Sequence, residues 1–169
     1  MSIEKEQLLS DTISIPSRNI YKNNKIDGYI LHYLKNKYEK KCHNNGYVIP
    51  DSIEIIQRSC GKIETINNES FIQYNINYKN KSIIPTKDDV FECIIDSITR
   101  MGVIAYLNYK ESEDSSIKES PLLFIVPKDF LPEGKIDQLK INDTINIKVL
   151  DTRIKFMAEQ IQIVGEGIF

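Results

Sequence analysis

Residues 86–107, TKDDVFECIIDSITRMGVIAYL, hold two runs rich in β-branched and aromatic residues, separated only by a bend at Met101-Gly102. They read as strand, tight turn and second strand. Downstream, PLLFIVP (121–127) supplies a third strand, and TINIKVLDTRIKFMAEQIQIVG (144–165) a fourth and a fifth. Ile145, Ile147 and Val149 share one face of the fourth strand, and Ile161 and Ile163 share one face of the fifth. The acidic, Ser-rich stretch 109–121 reads as a solvated loop, and PKDFLPEG (127–134), with two prolines and a glycine, as an irregular connection or helical turn. Five short strands in this order, with the longest connection between the third and fourth, predict an OB-type barrel over 86–169, a small Greek-key fold used to bind single-stranded nucleic acid.

The half before Pro85 is organised differently. Residues 1–11 are polar and read as loose, and DTISIP (11–16) as a short strand closed by Pro16. Residues 23–42 predict one helix, because Ile26, Ile30, Leu34 and Tyr38 recur at helical spacing. Asn23 or Asn24 can cap its start, Asp27 suits the positive end of its dipole, and Lys35, Lys37, Lys40 and Lys41 crowd its other end. Tyr29, Tyr33 and Tyr38 are expected to pack on a sheet. A long strand broken at Pro50 is predicted over 46–64, with a turn near Gly61. Over 70–84 the alternation is clean, with Ile72, Tyr74, Ile76 and Tyr78 on one face and Gln73, Asn75 and Asn77 on the other. The expectation is an α+β chain: a small antiparallel sheet with one helix over 1–85, then the barrel.

Charge separates the halves. Residues 1–85 carry a net charge of +3 and residues 86–169 one of −5, which argues against tight nucleic-acid binding driven by counterion release. The three cysteines, Cys42, Cys60 and Cys93, are scattered and odd in number, so a reducing compartment is expected. No segment has the length of a signal sequence or of a membrane span, and an intracellular chain without membrane attachment is expected.

No catalytic pattern stands out. His32 and His43 are remote from any nucleophile motif, Cys42-His43 has no second pair to complete a metal site, and the seven glycines form no phosphate-cradling loop. No metal, cofactor or enzymatic activity is expected. Barrels of this kind bind through their second and third strands, with aromatic rings for stacking and cations for the backbone. The candidates are Tyr106 and Phe124, with Arg100, Lys128, Lys148, Arg153 and Lys155 around them.

Taken in order, YEKKCHNNGYVI (38–49), QYNINYKNKSIIPTKDDVFECII (73–95), ITRMGVIAYL (98–107), LFIVPKDFLP (123–132) and INIKVLDTRI (145–154) resemble the stalk subunit of multisubunit DNA-directed RNA polymerases, the seventh subunit of RNA polymerase II, called E-prime in archaea. The resemblance runs from about Ile13 to Gly165. It implies a tip domain that docks on the largest polymerase subunits near the clamp, a barrel of the ribosomal S1 type that meets the emerging transcript, and a smaller helical partner subunit. With a net charge of −5 on the barrel half, the contact with RNA is expected to be weak. The docking candidates are Arg58, Gly61, Lys62 and Ile63, within the segment 58–70 that stands where the family has a Gly-rich loop. The segment departs from that pattern by keeping Gly61 and Ile63, with Asn67-Asn68 able to make its turn. The turn glycine of the barrel is followed by Val103 and Ile104 where S1-type barrels often carry aromatics. The divergence and the heavy use of Ile, Asn, Lys and Tyr suit a polymerase encoded by a large DNA virus or a fast-evolving eukaryote. The chain would then act in a viral factory or virion, or in a nucleus. The rival expectations are a free-standing single-stranded RNA-binding regulator of translation or decay, and an enzyme such as a nuclease.

Overall fold

The computed structural model describes residues 4–20, 25–44, 46–108, 117 and 119–169. Along the chain these form β1 (Glu4–Pro16), α1 (Ser17–Ile20), α2 (Ile26–Tyr38), β2 (Cys42–His43), β3 (Gly46–Val48), β4 (Glu54–Arg58), β5 (Lys62–Ile66), β6 (Glu69–Ile83), β7 (Val90–Thr99), β8 (Gly102–Leu107), β9 (Leu122–Pro127), a 3₁₀ turn (Lys128–Phe130), β10 (Thr144–Arg153) and β11 (Ile161–Ile168). The chain groups into two compact units, Met1–Lys40 with Val48–Ser82, and Lys41–Tyr47 with Ile83–Phe169.

In the first unit β6 is the spine. The alternation read from the sequence places Tyr74, Ile76 and Tyr78 in the core, while Asn75 and Asn77 face out. On one edge lies β1. Its Ser10 and Thr12 hydroxyls donate to the Asn77 and Asn75 side-chain carbonyls at 2.8 and 3.0 Å. Strand β1 begins at Glu4, so residues expected to be loose are paired. Pairing with so long a neighbour holds an edge strand whose own apolar pattern is weak there, and only farther on do Ile13 and Ile15 enter the core. On the opposite edge β4 and β5 pair antiparallel with β6 in succession, Glu54 to Arg58 opposite Lys79 to Ile76 and Lys62 to Ile66 opposite Gln73 to Glu69. They form one arm of a long hairpin, interrupted at residues 59–61. The two-residue loop at its tip is Asn67-Asn68, with φ of 49° and 64°. Positive φ at both positions is what a twisted two-residue hairpin demands, and Asn accepts it at low cost.

Helix α2 lays Ile30, Leu34 and Tyr38 into this core, and Tyr29 and Tyr33 are half-buried. The expected caps Asn23 and Asn24 lie outside the described residues. The helix ends at Tyr38, earlier than expected, because Lys40 takes φ 57° and its N–H donates to Val48 O. A partly buried cluster ties the last turn to β1. Tyr38 OH donates to Asp11 Oδ2 at 2.6 Å and Lys37 Nζ approaches the same oxygen at 3.3 Å. The Tyr38 ring stacks on Tyr78, with centroids 6.1 Å apart.

The second unit is a closed barrel of order β10-β11-β9-β8-β7. β9 and β11 run parallel, and every other neighbouring pair runs antiparallel. Counted from β7, the order is first, second, third, fifth, fourth and back to the first, which is compatible with an OB-type barrel. The interior is filled by alternate residues, among them Cys93, Ile95, Val103, Ala105, Phe124, Val126, Ile147, Val149, Ile161 and Ile163. Gly102 has no substitute: its φ is 148°, and an added Cβ would stand 2.1 Å from the Val126 carbonyl oxygen. The β2–β3 turn segment Lys41–Tyr47 groups with the barrel. Cys42 N donates to Ala158 O at 2.7 Å, and the Cys42 carbonyl accepts from Met157 N at 2.9 Å. The helical turn expected within 127–134 is the 3₁₀ turn. Most of the loop expected at 109–121 lies outside the described residues.

Candidate docking and nucleic-acid surfaces

Arg58 closes β4. Its Nε donates to Asp27 Oδ1, in the first turn of α2, at 2.6 Å. Its guanidinium carbon lies 5.4 Å from the centre of the Tyr74 ring. The side chain is therefore anchored, and it lines an open groove of about 490 Å³ with Asp27, Ile55, Ile56, Gln57, Ser59 and Cys60.

Gly61 sits in the break between β4 and β5. An added Cβ would come within 2.5 Å of Ile72 Cγ2 and 3.0 Å of the Tyr74 ring. The chain thus passes close to two side chains of β6, and any residue with a Cβ would have to displace them. Lys62 and Ile63 follow on β5, opposite Gln73 and Ile72. Ile63 is 73% exposed. The segment expected as a docking loop is therefore mainly strand and turn, with Ile63 presented on a rigid ladder. Two exposed residues of the same arm escaped sequence reasoning. Ile56 is the extra residue of a β-bulge, since Ile55 faces Tyr78 and Gln57 faces Asn77, and the sequence pair Ile55-Ile56 does not say which of the two is extra. Ile66 flanks the Asn-Asn turn.

The barrel candidates do not converge. Phe124 is fully buried and packs against Phe91, with ring centroids 5.7 Å apart. It is core and cannot stack on a base. Tyr106 is on the outward row but is only 7% exposed. Contrary to the sequence expectation, neither residue offers an open ring to solvent. The outward row of β8 and β9 consists instead of Ile104 opposite Ile125 and Tyr106 opposite Leu123, a largely aliphatic surface without cations. Lys148, on β10, is two strands away from both β8 and β9 in the ring and pairs with Asp88 at 3.3 Å. Arg153 and Lys155 are exposed at the far end of β10, beside the start of β11. Arg100 and Lys128 are exposed at the opposite end, in the β7–β8 turn and in the 3₁₀ turn. Strand-level reading places residues along a chain and cannot say which end of a barrel each one reaches.

The remaining chemistry is quiet. Burial pushes the Cys42 thiol up to about 11 and raises that of Cys93 as well. Neither is a ready nucleophile, because the thiolate is the reactive form. Cys60 is exposed. Among the described residues no group of three or more His, Cys, Asp or Glu side chains is placed to hold a metal ion, and no helix is long and apolar enough to cross a membrane. Comparison with protein-family models finds no match, and comparison with curated protein sequences finds none either.

Proposed function

We propose that the chain is a non-catalytic stalk subunit of a multisubunit DNA-directed RNA polymerase. In this reading the first unit is the tip domain. Its hairpin arm docks on the largest subunits beside the clamp, the barrel guides nascent single-stranded RNA, and a smaller helical subunit completes the stalk. The observation that carries the proposal is the order of parts. A sheet-and-helix unit with an exposed aliphatic hairpin arm precedes a closed barrel whose strand order is compatible with the OB type, in the sequence that the family resemblance requires. The sheet-and-helix unit weighs against a free-standing RNA-binding regulator, which would not need such a unit beside its barrel. Place of action would follow the polymerase: a nucleus in a cellular host, a cytoplasmic factory or virion for a viral enzyme.

The test is co-purification of the tagged chain from its native source, for wild type and for Lys62→Asp combined with Ile63→Asp. Wild type should bring down the largest polymerase subunits and one small helical chain. The double variant should lose the large subunits while its circular dichroism stays that of wild type. Recovery of no polymerase subunit with wild type would reject the stalk reading. Full recovery with the variant would move the docking surface elsewhere.

A further inference from the structure

Of the three exposed phenylalanine rings among the described residues, two lie at the end of the barrel where β8 starts and β9 and β11 finish; the third, Phe156, lies at the other end, tilted against His43 with centroids 5.7 Å apart. Phe130, in the 3₁₀ turn, is 43% exposed and Phe169 is 54% exposed. Several contacts bring the elements at this end together. Lys128 N donates to Met101 O at 2.9 Å, which seats the 3₁₀ turn on the β7–β8 turn that carries Arg100. Leu131 and Phe169 meet over Gly167, whose added Cβ would stand 2.8 Å from Leu131 Cδ2 and 3.0 Å from Phe169 Cε2. Lys135 Nζ lies 5.0 Å from the centre of the Phe169 ring. The same end therefore holds two exposed rings and three cations, Arg100, Lys128 and Lys135.

We propose that this barrel end, and not the outer row of β8 and β9, binds single-stranded RNA, with bases stacking on Phe130 and Phe169 and the backbone phosphates meeting Arg100, Lys128 and Lys135. The inference rests on the stalk reading for its choice of RNA. Exposed rings alone would fit a protein partner equally well. Cations beside the rings, one of them against a ring face, match the combination that single-stranded binding uses. Asp129 and Glu133 are exposed on the same connection. They keep the attraction small, so binding is weak, sensitive to salt and without preference among bases, and duplex RNA, whose bases are already stacked, is not held.

The experiment is a titration of the full chain with fluorescently labelled oligouridine at several salt concentrations. Phe130→Ala combined with Phe169→Ala should weaken binding roughly tenfold or more, while the Phe130→Tyr, Phe169→Tyr pair retains it. Lys128→Ala with Lys135→Ala should lower the slope of log affinity against log salt by about 1.4, the value for two phosphate contacts on a single strand. Arg153→Ala with Lys155→Ala, at the far end, should bind like wild type. Thermal melts of every variant separate lost binding from lost folding. Unchanged binding by the double-alanine aromatic variant, loss confined to the Arg153 and Lys155 pair, or no binding by wild type would each overturn the site. So would loss of a polymerase subunit from the Phe130, Phe169 variant, which would make this end a protein contact. Co-purification by wild type tests the stalk reading separately, so the site can fail while that reading stands.

Discussion

Asp11 shows how a few side chains set the pH range of the first unit. Its burial alone would raise its pKa, but hydrogen bonds from Tyr38, from the Thr12 N–H and from Lys37 outweigh that and hold the carboxyl below its usual value. A carboxyl lowered in the folded state adds stability above its unfolded pKa, about 3.9, and loses it as pH falls through the folded value. Lys37 has the opposite sense. Burial works against its charge, yet bonding to Tyr38 and Asp11 leaves its pKa raised, so its contribution is present below the ordinary lysine value and fades as pH rises through the folded one. Tyr38→Phe removes the 2.6 Å bond. It should cost about 1–3 kcal/mol at neutral pH, measured by urea unfolding, and the loss should shrink in strong acid, where wild type surrenders the same interaction. An equal loss at all acidic pH values would sink this account. Gly102→Ala is the harsher change, because the obstructing atom is a backbone oxygen that cannot rotate away. It should destabilise the barrel by roughly 3 kcal/mol or more, read from the same unfolding curves.

At the scale of elements, the hairpin of β4, β5 and β6 lends itself to a sharp test. Asn68 holds φ 64°, which glycine adopts without penalty. Asn68→Gly should therefore stabilise the hairpin by about 0.5–1 kcal/mol, seen as a higher melting temperature and slower amide exchange at residues 62–73. A lower melting temperature would show that the Asn side chain contributes more than its backbone costs. The same hairpin marks what the sequence could and could not reveal. Alternation exposed the buried face of β6, because Tyr74, Ile76 and Tyr78 recur with period two and are in the core. The core faces of β10 and β11 were legible in the same way. The bulge at Ile56 was not, since in EIIQR the pair Ile55-Ile56 does not say which of the two stands opposite β6 and which is extra. Phe124 misled for a related reason: in LLFIV every side chain is apolar, and only the sheet decides which ones point inward. Strand β1 was under-read because its first half is held by pairing with β6, a contact remote along the chain.

For the whole molecule, exposed Ile56, Ile63 and Ile66 on one arm of the first unit predict association. Expressed alone, the chain should self-associate in size-exclusion chromatography with light scattering, and the Lys62→Asp, Ile63→Asp variant should run closer to a monomer. A wild-type monomer that stays monodisperse at high concentration would argue that this arm is simply wet. The grouping of Lys41–Tyr47 with residues 83–169 has a consequence for how the protein is made. On the ribosome, the short piece that Cys42 anchors emerges well before β7, and it must wait for Met157 and Ala158, its backbone partners far downstream in the chain. Until then the Cys42 N–H and carbonyl are without these two bonds, and the nascent chain is open to wrong pairings. A gene cut at Pro85 would make that wait permanent, leaving each fragment short of something the other encodes.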